Sequence, residues 1–132
     1  MKLVHLALVS ALTAAATLFT PTAVADDHKS AAPFRHFVSF QFKESATDND
    51  IQKIVDEFVL LGEKIEEIVS IEWGTAENIE PLNDDFTHSF LVTFEDKAGL
   101  EVYLPHPDHV AFVEILKPHL EKVFVFDYTA KD

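Results

Sequence analysis

The chain has 132 residues, with 23 acidic against 10 basic side chains, a formal charge of −13 at pH 7, and no cysteine. That length holds one small domain. Such a negative surface repels nucleic acid and anionic lipid, and without cysteine there are neither disulfide staples nor a lipidated cysteine at a signal cleavage site, so stability must come from packing or from association with another subunit.

Lys2, an apolar run from about Leu6 to Phe19, and the small-x-small triplet Ala23-Val24-Ala25 make residues 1–25 read as a cleaved export signal. A membrane anchor would need roughly 20 apolar residues, whereas threonines and Pro21 interrupt this run. The expected location is therefore periplasmic or extracellular, with no membrane attachment after cleavage near Ala25. Without Lys2, nine basic residues face 23 acidic ones, a formal charge of −14. Residues 26–33 read as a flexible lead-in and 34–130 as the domain, with no internal repeat of 20 to 50 residues.

Alternation in FRHFVSFQF, with His36, Val38, Phe40 and Phe42 on one side, predicts a strand over Phe34–Phe42. Thr47 and Asp50 are spaced as a variant capping box. They open a predicted helix that carries Ile51, Ile54, Val55, Phe58 and Leu61 at helical spacing and has Gly62 near its end. A second strand, IVSIEWGT, is expected to place Val69, Ile71 and Trp73 on one face. A loop from about Ala76 to Asp85 leads to a third, THSFLVTFE, with His88, Phe90, Val92 and Phe94 on one side. Lys97 to about Leu116 reads as helix interrupted by YLPHPDH, and VFVFDY closes the chain as a fourth strand over Val123–Tyr128.

The order βαββαβ predicts an α+β, ferredoxin-like domain: a four-stranded antiparallel sheet with helices on one face. We expect the first and third strands to be adjacent, parallel and central. In that register His36 and His88 would lie side by side, about 4.8 Å apart.

Within YLPHPDH, proline disfavours helical conformation in the preceding residue, so Leu104 and His106 are both expected to be non-helical and the helix to end near Tyr103. Pro107 suits the first position of a new helix ending near Leu116, before Lys117-Pro118. On an unbroken helix Tyr103 and His109 would face about 120° apart; the break lets them share a pocket. His109 shares a stripe with Phe112, Val113 and Leu116, at the third helical position, where the helix terminus disfavours imidazolium. His106 is expected to cap the new helix, and His5, His28 and His119 have no supporting context.

The segments HFVSFQFK, EWG, FTHSFLVTFE, YLPHPDHVAFVEILKP and FDY together resemble the stress-responsive dimeric α/β-barrel (Dabb) family across nearly the whole chain after the signal. The resemblance implies ferredoxin-like domains that pair sheet to sheet as a dimeric α/β barrel with the helices outside, which suits the apolar second face marked by Phe37 and Leu91. It also implies a plant branch of polyketide cyclases that close a linear poly-β-ketone by intramolecular aldol condensation without metal or organic cofactor. In that branch the tyrosine and second histidine of the Y-x-x-H-P-x-H motif are catalytic and the strand-opening histidines line the pocket. Carried over, these are Tyr103 and His109, with His36 and His88. Where those cyclases have a pocket tyrosine on the first helix, this chain carries Phe58. Phe58, Trp73 and His106 complete the expected substrate contacts.

Three readings follow. The first is an exported homodimer that binds a small, partly apolar molecule in a binding or stress-response role. The second is a cofactor-free acid/base enzyme of cyclase, lyase or isomerase type, with His109 as base and Tyr103 relaying the proton or donating a hydrogen bond to the enolate. The third is a metal site of His36, His88 and His109, which could hold zinc with one open position.

Overall fold

The computed structural model describes residues 32–132; the expected export signal and all but the last two residues of the expected lead-in lie outside the described residues. The elements are β1 (Phe34–Phe42), α1 (Asp48–Lys64), β2 (Ile68–Thr75), β3 (His88–Phe94), α2 (Lys97–Tyr103), α3 (Pro107–Leu116), a short 3₁₀ turn (Lys117–His119) and β4 (Leu120–Thr129).

Helix α1 starts where its side chains satisfy the open amides: the Asp50 N–H donates to Thr47 Oγ1 (3.2 Å) and the Thr47 N–H donates to the Asp50 carboxylate (2.9 Å). The Thr47 N–H and, after it, the Thr47 hydroxyl both donate to the Asp50 carboxylate and hold it below its usual range. The inward stripe Ile54, Val55, Phe58 and Leu61 is fully buried.

The sheet order is β2-β3-β1-β4, and all three neighbouring pairs are antiparallel. This corrects the expectation of parallel β1 and β3. The β1–α1–β2 crossover leaves β1 and β2 running the same way with a gap between them. Chain reversal after β2 then lays β3 into that gap, antiparallel to both. Opposite His36 on β3 is therefore Val92, while His88 faces Phe40. A second correction concerns β2: its register shifts between Ile68 and Ser70, so Ile68 is buried and Val69 turns outward at 60% exposure.

The core fills the space between one sheet face and the helices. Phe58 is its hub, with ring centroids 4.2 Å from Phe90 and 4.8 Å from Phe112, and it stacks on Phe40 at 6.0 Å. The central strands are sealed, with Phe90, Val92 and Phe94 at 0% exposure, whereas Val123 and Val125 on the edge strand β4 remain 47% exposed. The helices thus cover the middle of the sheet and leave its β4 side open. The other sheet face carries Phe124, Phe126 and Tyr128, all exposed, with Phe37 edge-on to Phe124. Lys122 on β4 binds the carboxylate and carbonyl of Asp84 (2.9 Å each) and stands over the Phe86 ring, tying down the β2–β3 loop.

Helix α2 is seated directly on β3. The Gly99 N–H donates to the Asp96 side chain at the cap, and a Cβ placed on Gly99 would lie 2.9 Å from Cβ of fully buried Phe94. Helix propensity would favour alanine there by about 1 kcal/mol, but overpacking a sealed core costs about 1–3 kcal/mol. Gly99→Ala is therefore expected to destabilise the fold by up to about 2 kcal/mol. A urea midpoint equal to or above that of the parent chain would contradict this seating.

Candidate functional site

The site begins with the break between α2 and α3. Tyr103 is the last residue of α2, and Leu104 keeps helical dihedrals, its N–H donating to Leu100 O (3.0 Å). This corrects the expectation that Leu104 leaves the helical region: the preference imposed by Pro105 yields to one more helical hydrogen bond. His106 is extended, as expected, and caps α3 by accepting from the Asp108 N–H at Nδ1 (3.2 Å). In an unbroken helix that amide would donate to Leu104 O. Instead Leu104 O accepts from His109 Nδ1 at 2.9 Å. Freed by the break, this carbonyl fixes the ring of His109. A carbonyl can only accept, so Nδ1 carries the proton and, in the neutral ring, Nε2 is the acceptor.

His109 then lies over Tyr103, with ring centroids 4.2 Å apart, and Tyr103 meets His36 edge-on at 5.7 Å. All three line a cavity of about 230 Å³ between the sheet and the helices, walled otherwise by apolar side chains that include Phe40, Phe58, Phe112, Leu116 and Val125. A larger groove of about 570 Å³ lies elsewhere, lined by Glu66, Glu67, Glu95 and Asp96. Its charged residues are all acidic and it holds neither an imidazole nor a phenol, so the smaller cavity is the candidate site.

Asp127 completes the arrangement. It is the cross-strand partner of His36 on β4, and the two side chains meet at 2.6 Å between His36 Nδ1 and Asp127 Oδ1. His36 is 6% exposed. In the sequence this aspartate stands out only as part of FDY. Its alternation with Val123 and Val125, combined with an antiparallel β1–β4 pair, would have placed it opposite His36.

The remaining expected contacts lie elsewhere. His88, four residues along the register from the β3 position opposite His36, is displaced by about 13 Å along the strand. There it packs against Phe42 and stacks parallel to Trp73, with its Nδ1 at 2.9 Å from Thr87 Oγ1. Trp73 is 44% exposed. Neither residue lines the cavity, nor does His106, whose ring is engaged at the cap. Phe58 does line it. With His88 at the far end of the face, the three imidazoles of the expected metal site do not converge. Among the described residues no group of three or more His, Cys, Asp or Glu is placed to hold a metal ion.

Burial decides the protonation states. Desolvation pushes the Tyr103 phenol well above its usual value near 10, so it acts as a hydrogen-bond donor and not as a base. Desolvation also lowers His109, partly offset by its bond to Leu104 O and reinforced by the neighbouring His36 and His106. The ring is therefore neutral near pH 7. Desolvation lowers His88 as well.

These shifts carry a linkage prediction. Both depressed histidines take up protons more readily in the unfolded chain, so their contribution to stability is present above about pH 6.5 and is lost as pH falls below it. The raised tyrosine acts with the opposite sense, its contribution being lost as pH rises past about 10. Urea midpoints should fall on both sides of that window, and a His88→Gln, His109→Gln double variant should flatten the acid side. An acid limb unchanged in that variant would contradict the assignment.

The same architecture occurs in known proteins. The family profile of the stress responsive A/B barrel domain, Dabb, matches residues 34–130. Over 96 residues the chain is 34% identical to the stress-response A/B barrel domain-containing protein HS1 of Arabidopsis thaliana, covering 73% of this chain and 88% of the relative. It is 28% identical over 97 residues to olivetolic acid cyclase of Cannabis sativa, covering 74% and 96%. Among solved structures, hydroxynitrile lyase from Passiflora edulis superposes with a TM-score of 0.72 at 25% identity, covering 77% of this chain and 96% of that one. A ferredoxin-like protein of unknown function from Bacteroides fragilis, described as dimeric, superposes with a TM-score of 0.60 at 24% identity, covering 74% and 96%. With its family profile matched over nearly all the described residues, the chain belongs to the Dabb family of stress-responsive A/B barrel domains.

Proposed function

We propose that the chain binds a small, mostly apolar molecule in the cavity between α3 and the β4 side of the sheet. The observation that carries this reading is the convergence of His36, Tyr103 and His109 on an otherwise apolar space of about 230 Å³. A cavity with apolar walls and a few convergent polar groups has the composition of a small-molecule site. In a Dabb protein this suits a binding role in a stress response.

A second reading, acid/base catalysis in the same cavity, is favoured by the state of His109. Its Nδ1 is committed to Leu104 O, and burial keeps the ring neutral. Nε2 is then a base of suitable strength for a proton next to a carbonyl, with Tyr103 donating a hydrogen bond to the developing enolate. That one relative is a cyclase and one structural neighbour a lyase supports this reading. On a panel of enolisable carbonyl compounds, His109→Ala is expected to lower turnover by about 10²–10⁴, and Tyr103→Phe to lower turnover while leaving ligand binding within a few-fold. If ligands bind and neither variant alters any reaction, catalysis is excluded and binding stands; if nothing binds, both readings fall.

We also infer that two copies pair through the outer sheet face. Phe126 (57% exposed), Phe124 and Tyr128 form an apolar surface there that water should not be left to cover, and the Bacteroides fragilis neighbour is described as dimeric. Light scattering on the eluted protein is expected to give twice the chain mass, and Phe126→Glu to give a folded single chain. A parent protein that elutes as one chain would rule the pairing out.

A further inference from the structure

The hydrogen-bonding capacity of the cavity is lopsided, and this names the ligand class for the pocket reading on which the inference rests. Both cavity histidines have Nδ1 committed, His109 to Leu104 O at 2.9 Å and His36 to Asp127 Oδ1 at 2.6 Å. A backbone carbonyl and an ionised carboxylate can only accept, so both Nδ1 atoms carry protons and, in the neutral rings, both Nε2 atoms are acceptors. Among the lining side chains Tyr103 alone then donates, and no lysine or arginine is present. With both rings neutral, an incoming anion would find two lone pairs, one phenol and apolar walls, and would lose its hydration without a cation to replace it.

We propose that the cavity selects uncharged ligands that donate hydrogen bonds: hydroxyl compounds such as phenols, enols or hydroxy-carbonyls, of about the size of a singly substituted benzene ring. Carboxylates and phosphates are excluded. A volume of about 230 Å³ equals roughly eight water-sized groups at about 30 Å³ each, which sets that size. Asp127 is a positioning residue in this scheme. It touches no ligand, but its carboxylate holds His36 in the tautomer that makes Nε2 an acceptor.

Phenol, its methyl ether anisole, and benzoate differ mainly in the group presented to the polar end. Binding is measured by calorimetry or by ligand-observed NMR at about pH 8, above the ordinary imidazole range. Each hydrogen bond lost is worth several-fold in affinity, so phenol is expected to bind about tenfold tighter than anisole, and benzoate more weakly than either. Asp127→Asn, whose amide can present either an oxygen or an N–H to His36, should shrink the phenol-to-anisole ratio several-fold and leave anisole unchanged. Nitrogen chemical shifts of His36 should show the tautomer becoming mixed. Anisole binding as well as phenol, or benzoate binding best, overturns the inference while leaving the pocket reading intact. An unchanged ratio and tautomer in Asp127→Asn overturns the role given to Asp127. If none of the three probes binds, the pocket reading falls and this inference with it.

Discussion

The candidate site depends on one exchanged hydrogen bond. Two prolines, Pro105 and Pro107, stop α2 at Tyr103 and restart the chain as α3, so that Leu104 O loses the amide of Asp108 and gains His109 Nδ1. That substitution does three things at once. It satisfies a carbonyl at a helix end, which would otherwise be left open. It folds the imidazole back over the phenol six residues earlier, to 4.2 Å between rings. It also selects the tautomer of His109, because a carbonyl accepts only from a protonated nitrogen. Continuing the helix through this segment would separate the two side chains by about 120°.

The cavity itself results from how the helices are distributed over the sheet. Helix α1 packs against α3 and β2, and the central strand β3 is sealed beneath the helices at 0% exposure for Phe90, Val92 and Phe94. Edge strand β4 receives no such cover, so Val123 and Val125 face a space that α3 bounds without filling. Exposed valines carry a cost of about 25 cal/mol per Å² of apolar surface left in water, which an apolar ligand would relieve. The same strand exposes phenylalanines on its other face. β4 is therefore an edge strand with exposed apolar side chains on both sides, the inner valines at the candidate cavity and the outer phenylalanines on the face proposed for pairing.

Local features were legible in the sequence, and register was not. Alternation located all four strands, Thr47 and Asp50 marked the start of α1, and the prolines marked the helix break with His106 at the cap. These depend on neighbours within a few residues, where steric rules act directly. The pairing of His36 with His88 required a relation between strands more than 50 residues apart, and matching patterns at the two strand starts favoured the wrong, parallel answer. In an antiparallel pair, matching starts lie at opposite ends, which is why His88 rests on Phe42 and Trp73. Asp127 was missed for the same reason, since its importance lies wholly in standing opposite His36. The outward turn of Val69 shows a smaller failure of the same kind, because one extra residue in a strand reverses the face of every residue beyond it.

Phe58 gives the cavity its direction. Packed against Phe40, Phe90 and Phe112, it forms part of a rigid aromatic wall with no polar atom to offer a ligand. The resemblance to plant cyclases implies a tyrosine at this place on α1, which would supply a second polar contact away from Tyr103 and His109. With phenylalanine here, the polar side chains that line the cavity are His36, Tyr103 and His109 alone. A ligand that reaches them must turn its polar group toward the helix break and leave an apolar body against Phe58. Orientation is thus imposed by the absence of a hydroxyl as much as by the imidazoles, and a ligand with polar groups at both ends would leave one of them buried without a partner, at about 1–3 kcal/mol.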